Sequence, residues 1–241
     1  MVAKPTIAAG LPMTVSDIAR PVAASCLEDE DEAALQHIGA VARIGRNEII
    51  FSQGDPATYA YKVMSGVVRL CRHMNDGRRH IAQFSFAGDF FSMLESEQHS
   101  FTAEAVTDVV LVRYPQIQLS VLSDQRPAMS RRFMALLLQR LGALENHLTV
   151  LGRQNAKERV ASFLLSLAER RGAEDSNLVD APMNRHDIAD YLGLTNETVC
   201  RVLSELRRAR VVGTPNLRQF ALLNIDALQA LAGGEEHLAA A

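Results

Sequence analysis

The 241-residue chain is 48% apolar and 22% charged, the balance of a globular protein of one large or two modest domains, which excludes a chiefly disordered chain, a collagen-like repeat or a disulfide scaffold. Cys26, Cys71 and Cys200 are widely spaced and fit a reducing, cytoplasmic setting, and no apolar run approaches the ~20 residues that span a bilayer. The formal charge of −3 hides an asymmetry, because residues 1–125 carry 10 Lys/Arg against 15 Asp/Glu whereas residues 126–218 carry 15 against 10.

Residues 1–27, rich in Ala, Pro and Ser and broken by Pro5, Gly10 and Pro12, read as an N-terminal extension and make a poor signal peptide. The acidic run Glu28–Glu32 ahead of AALQHIGAVA predicts a helix over about 28–38, since carboxylates favour a helix N-terminus. The same run is a poor metal cage, because consecutive helix positions point in different directions.

From 43 to 113, short β-prone runs are punctuated by Gly45, Gly54, Gly66, Gly77 and Gly88. With Asn75-Asp76-Gly77 as a hairpin signal, this predicts an antiparallel β-roll within a domain spanning 28–125. Strands are expected at Glu48–Ser52, Tyr61–Ser65, Val67–His73, Arg79–Phe84 and Val109–Tyr114. Phe84, Phe86, Phe90 and Phe91 are expected to pack in the core.

After Pro127 the period becomes helical. Met134, Leu137, Leu141, Leu144, Leu148 and Leu151 recur at alternating intervals of 3 and 4, the seam of a two-helix coiled contact. Residues 126–152 are therefore read as a dimerisation helix, with the second copy as partner. Leu136 and Leu138 widen the apolar face beyond a strict seam. A further helix, Gln154–Arg171, should end at Gly172, with AEDSNLVDAP as a polar loop.

Residues 153–241 are assigned to a DNA-binding domain. Asn184 followed by Asp187 reads as a helix N-cap with an acid at N3, opening a helix Arg185–Leu192. Gly193 supplies the turn, and Thr195 caps a second helix from Asn196 to about Ala209. Ala189 sits at the crossing and Val199, Val202, Leu203 and Leu206 form the packed face. Two short strands follow, VVG and LRQFALL. Together these make a winged helix-turn-helix, so the fold class is α+β.

In that geometry the second helix enters the major groove. Arg201 carries a donor fork suited to guanine, Glu197 can accept from a cytosine amine, and Asn196 and Cys200 lie beside them. Thr195, Thr198, Arg185, Arg207, Arg208 and Arg218 are candidate phosphate contacts. Cys200, near a helix N-terminus and beside Arg201, is also a candidate for oxidation that blocks the groove-facing surface.

A glycine-punctuated roll, a long dimer helix and a C-terminal winged helix together resemble the CRP/FNR superfamily of bacterial regulators. The run GLTNETVCR (Gly193–Arg201) resembles the recognition motif of its FNR and FixK branch, and PMNRHDIADYLGLTNETV looks like the FixK type. The resemblance implies that Glu197, Cys200 and Arg201 read the half-site TTGAT in a TTGAT-N4-ATCAA-like palindrome. It also implies a cyclic-nucleotide-binding-like roll, an activator of microaerobic or anaerobic metabolism genes, contact with RNA polymerase, and no enzymatic activity.

Departures from better-known members bear on the effector. The glutamate expected after Gly88-Asp89-Phe90 falls at Met93, and no arginine stands between Arg79 and Arg113, so a buried cyclic phosphate would lack a cation and cyclic AMP is not expected. Cys26 and Cys71 are too few for a four-cysteine iron–sulfur cage. No cofactor is expected, and the reading is a regulator without a small-molecule effector. The alternative is the same fold gated by haem, a gas or another small ligand, with His73, His80 or His99 as the histidines on offer.

Overall fold

The computed structural model describes residues 29–74, 76–93, 97–170 and 177–233. The predicted N-terminal extension with Cys26, Asn75 of the hairpin signal, and Gly172 with the start of the following loop lie outside the described residues.

Helix α1 (Asp29–Ile38) leads into eight strands: β1 (Ala40–Ile44), β2 (Ile49–Phe51), β3 (Tyr59–Ser65), β4 (Val68–His73), β5 (Arg79–Ser85), β6 (Phe90–Phe91), β7 (Thr102–Ala105) and β8 (Val109–Pro115). They form two antiparallel four-stranded sheets, ordered β1-β8-β3-β6 and β2-β7-β4-β5. The five expected strands are present within two residues of their expected ends. Strands β1, β6 and β7 had no local signal. β7 reads Thr-Ala-Glu-Ala, a composition with little β propensity, and is a strand because β2 and β4 flank it. At the β3–β4 turn Gly66 has φ +87°, and a Cβ there would stand 2.3 Å from the Asp108 carbonyl oxygen, so only glycine fits.

The strands' two-residue alternation divides the roll into an inside and an outside. Phe51, Tyr61, Val63, Leu70, Phe91 and Leu111 fill the interior. Phe51 lies against His99 with ring centroids 3.6 Å apart, and Tyr61 against Phe91 at 5.1 Å. The four phenylalanines expected in one core separate: Phe91 enters the roll, Phe90 packs beside Tyr114 and Phe133, and Phe84 faces the C-terminal domain. Alternation explains this, since Phe90 and Phe91 are consecutive and must point to opposite faces.

Helix α2 (Gln116–Gln125) precedes α3 (Pro127–Arg153), whose first turn holds Pro127, where a missing N–H costs nothing. Met129 and Phe133 of α3 pack on Leu35, Ala60, Tyr114 and Leu119. Its other side stands open: Met134, Leu138, Leu141, Leu144 and Leu148 are exposed, Leu148 at 67%. Leu137 and Leu151 are half-buried. Helix α4 spans Ala156–Arg170. It starts two residues later than expected because Asn155 caps it, its Oδ1 accepting from Lys157 N (2.9 Å) and Glu158 N (3.1 Å).

The C-terminal domain continues with β9 (Leu178–Asp180), α5 (Arg185–Leu192), α6 (Asn196–Arg208), β10 (Val212–Asn216), β11 (Gln219–Leu222) and α7 (Ile225–Ala232). The expectation of a polar loop through AEDSNLVDAP is corrected by β9. Leu178–Asp180 pairs antiparallel with β11, giving a sheet ordered β10-β11-β9. Three residues carry too little period to be legible. The strand forms because Val179, opposite Phe220, is buried in the domain's core.

The outer face of β4 and β5 meets this domain directly. Cys71, Ile81 and Phe84 join one apolar cluster with Phe163, Ile188, Leu192 and Val199. Arg69 and Arg79 cross the same boundary to Asp187 and Asp190 of α5. No helix among the described residues is long and apolar enough to cross a membrane.

Candidate nucleic-acid interface

Local chemistry sets both helices of the helix-turn-helix. The Asn184 side chain accepts from Asp187 N at 2.9 Å, and Asp187 Oδ2 accepts from Asn184 N at 3.3 Å, a reciprocal capping box. Gly193 closes α5 in the left-handed region at φ +61°, which a glycine adopts at no steric cost. Thr195 caps α6, its Oγ1 accepting from Thr198 N at 3.1 Å, while the two threonine hydroxyls lie 2.9 Å apart. Ala189 and Val199 are buried at the crossing of the two helices.

Helix α6 is strongly two-sided. Val199, Val202, Leu203 and Leu206 are buried, whereas Glu197, Cys200, Arg201, Arg207 and Arg208 are exposed. Of the four base-contact candidates Glu197, Cys200 and Arg201 are exposed and Asn196 is half-buried, and the pairs Asn196–Cys200 and Glu197–Arg201, each four apart, lie side by side on its first turns. Cys200 Sγ stands 3.9 Å from Asn196 Oδ1. Among the described residues no ion pair joins Glu197 to Arg201, so the fork of Arg201 is unengaged by its helical neighbour.

The phosphate candidates separate. Thr195 and Thr198 lie at the helix entrance with hydroxyls already paired, while Arg207 and Arg208 stand at the far end of α6. Arg218 is exposed in the wing turn, where its N–H donates to Asn216 Oδ1 at 2.8 Å. Arg185 is held differently: its guanidinium lies 4.5 Å over the Phe220 ring, and burial pushes its pKa down. It reaches the surface only from that half-buried seat.

Three residues behind the interface had no functional signal in the sequence. Asp187 is 1% exposed and receives Arg69 Nη1 at 3.1 Å and Arg79 Nη2 at 2.5 Å. Asp190 receives Arg79 Nε at 2.8 Å. Arg159 ties the end of α3 to the turn of the helix-turn-helix, donating to the carbonyls of Leu151 (2.9 Å), Gln154 (2.9 Å) and Leu192 (3.0 Å). The recognition helix is thereby mounted on the roll and on α3 together.

In the roll, the ligand atoms of Cys71, His73 and Glu104 lie within 4.8 Å of one another, the one such group among the described residues. The spacing suits a metal ion, but the electrostatics oppose it. Arg69 already holds the Glu104 carboxylate at 2.7 Å, and burial, with Glu104 beside it, pushes the Cys71 thiol up to about 12. A thiol that keeps its proton is a poor ligand. Of the other histidines weighed for haem, His99 is buried on Phe51 with Nδ1 3.1 Å from Ser92 Oγ, and His80 is half-buried on β5.

Two family models cover most of the chain, a cyclic nucleotide-binding domain over residues 41–126 and a Crp-like helix-turn-helix domain over 158–231. The nitrogen fixation regulation protein FixK of Azorhizobium caulinodans is 40% identical over 222 residues, covering 90% of this chain and 88% of the relative. The chain belongs to the CRP/FNR superfamily, in its FixK-like branch. FixK of Bradyrhizobium diazoefficiens is 38% identical, covering 80% of this chain and 83% of that one. The solved structure of FixK2 from Bradyrhizobium japonicum superposes with a TM-score of 0.76 at 34% identity, over 80% of this chain and 97% of that one. Members of the superfamily are DNA-binding transcription regulators, not enzymes, and the α+β architecture expected from the residues is the one found.

Proposed function

We propose that the protein works as a homodimer that seats two α6 helices in successive major grooves of a TTGAT-N4-ATCAA-like palindrome. It activates genes of microaerobic or anaerobic metabolism through RNA polymerase. The observation that carries this reading is the outer face of α6: four groups able to read base edges stand on the first turns of a capped helix whose opposite face is buried. Glu197, Cys200 and Arg201 read bases with Asn196 beside them. Thr195, Thr198, Arg185, Arg207, Arg208 and Arg218 set the register on phosphates.

Self-association is supported by α3. An apolar seam from Met134 to Leu148 that faces water in one chain is stabilised by burial against a second copy. The working units are then the roll, 28–125, the dimer helix, 126–152, and the DNA-binding part, 153–241. Cyclic AMP is disfavoured because Phe51, Tyr61, Phe91 and His99 occupy the roll's interior with no arginine or lysine among them. Exposed Cys200 on the reading face supports inactivation by oxidation, since added bulk and charge there would meet DNA.

A second reading concerns control. The expectation of a regulator without an effector is weakened by an apolar cavity between the roll, α3 and the DNA-binding part, and gating by a small ligand is the better supported alternative. The test of the main reading is fluorescence anisotropy at fixed ~0.15 M salt, because phosphate contacts alone fall steeply with salt. Tight binding to the palindrome with a loss of ~1–3 kcal/mol per swapped half-site base supports it. Equal, weak binding to intact and swapped duplexes refutes it.

A further inference from the structure

A cavity of about 400 Å3 opens where the three parts of the chain meet. Phe84 and Phe86 close it from the roll, His147 from α3, Phe163 and Glu169 from α4, and Tyr191 from α5. This is the outside of the roll, separate from the filled interior. The volume is that of a small-molecule site, and the wall is largely apolar with several aromatic rings.

Most polar groups on that wall are already engaged. The Asn146 amide donates to the Gly142 carbonyl, Ser166 to the Phe163 carbonyl, Gln154 to the Ala232 carbonyl, and Arg170 to Asp89. Two buried atoms are not. His147 Nε2 and Glu169 Oε2 are the buried side-chain nitrogen and oxygen atoms without a hydrogen-bond partner among the described residues, and both residues line this one cavity. Native chains leave few buried polar atoms unpaired, and such atoms commonly await a ligand or water.

Their chemistry narrows what fits. The His147 ring stacks on Tyr191 with centroids 4.2 Å apart. Burial, with the charge of His80 adding to it, depresses its pKa to about 4, so at neutral pH the ring is uncharged and Nε2 offers one hydrogen bond, as acceptor or donor according to the tautomer. Burial raises the Glu169 pKa, and its unpaired Oε2 is an acceptor in either protonation state. A hydroxyl group satisfies either partner. A charged ligand would meet an aromatic wall whose two arginines are already engaged, Arg170 with Asp89 and Arg140 with the Phe90 carbonyl.

We propose that this cavity binds an uncharged aromatic small molecule bearing hydroxyl groups, held by His147 Nε2 and the Glu169 carboxyl between the rings of Phe84, Phe86, Phe163 and Tyr191. The walls belong to the roll, the dimer helix and the DNA-binding part at once. Occupancy therefore sets how α6 is presented. That consequence rests on the regulatory reading above, whereas the binding itself does not.

The test uses the full-length protein with 2-naphthol and 1,5-dihydroxynaphthalene as probes and naphthalene as the control without hydroxyls. The chain has no tryptophan, so probe fluorescence is read without interference. The expected result is saturable binding of both hydroxylated probes at one per chain, at least tenfold weaker for naphthalene. Binding of 1,5-dihydroxynaphthalene should weaken at least tenfold in His147→Leu and in Glu169→Leu. Both variants delete an unsatisfied polar atom, so thermal denaturation should find them as stable as the parent. No saturable binding of either hydroxylated probe, or equal affinity for naphthalene or in both variants, overturns the proposal. Anisotropy on the palindrome, run with and without 1,5-dihydroxynaphthalene, separates the two ideas: loss of palindrome recognition with binding intact removes the regulatory reading alone, and the converse removes the site alone.

Discussion

Removing the Asp187 side chain tests whether the DNA-binding part is fastened to the roll as described. Asp187→Ala deletes a fully buried carboxylate that receives Arg69 Nη1 (3.1 Å) and Arg79 Nη2 (2.5 Å) and closes the capping box of α5. The Asn184 cap on the residue-187 backbone survives, and losing the return bond from Asn184 N to the carboxylate costs ~1 kcal/mol. Breaking a buried ion pair from one side costs ~3–5 kcal/mol where the remaining charge is stranded. Here neither arginine is stranded, since Arg69 keeps Glu104 at 2.7 Å and Arg79 keeps Asp190 at 2.8 Å. Arg79 is also partly solvated, at 22% side-chain exposure. The ionic part therefore falls to ~1–2 kcal/mol, and the total expected loss is ~2–3 kcal/mol. Urea unfolding followed by far-UV circular dichroism at one protein concentration measures it, because dimer stability depends on concentration. A cycle with Arg79→Ala should show coupling of ~1 kcal/mol or more between residues 108 positions apart in sequence. A loss below ~0.5 kcal/mol with an additive double variant would refute the docking of α5 on β5.

His147 gives a pH signature. Its folded pKa, about 4, lies below the ordinary 6.5, so as pH falls the unfolded chain takes the proton first. Stability is full above about 6.5 and is lost between there and about 4. With solvent screening of a half-buried ring, the loss from pH 7 to pH 5 is ~1 kcal/mol. His147→Leu should remove that portion, and an unchanged pH profile would sink the assignment. Leu141→Glu with Leu148→Glu should yield monomers by light scattering, since two carboxylates would be buried in the seam; an intact dimer would show that α3 is not the interface. Arg201→Ala should cost ~1–3 kcal/mol of discrimination at one half-site base while leaving binding to swapped DNA nearly unchanged; equal losses on both duplexes would make Arg201 a phosphate contact instead.

The reading helix was legible because everything that defines it is local. Asn184, Asp187, Gly193 and Thr195 act across three or four residues, and the buried and exposed faces of α6 follow from a 3.6-residue period. The seam of α3 was legible for the same reason. Strands β7 and β9 were not, since short segments with weak propensity become strands only beside a partner.

By itself, then, the sequence determined helices α1, α3, α5 and α6, the caps of the last two, the strand-rich front half and the exposed face of α6. Tertiary structure decided which acid holds which arginine, where the phenylalanines go, and that a cavity with two unpaired polar atoms opens between the roll and the DNA-binding part. Arg69 and Asp187 are 118 residues apart, as are no residues joined by a cap or a helical period. Local patterns encode the direction in which a side chain points, but not what the rest of the chain brings to meet it.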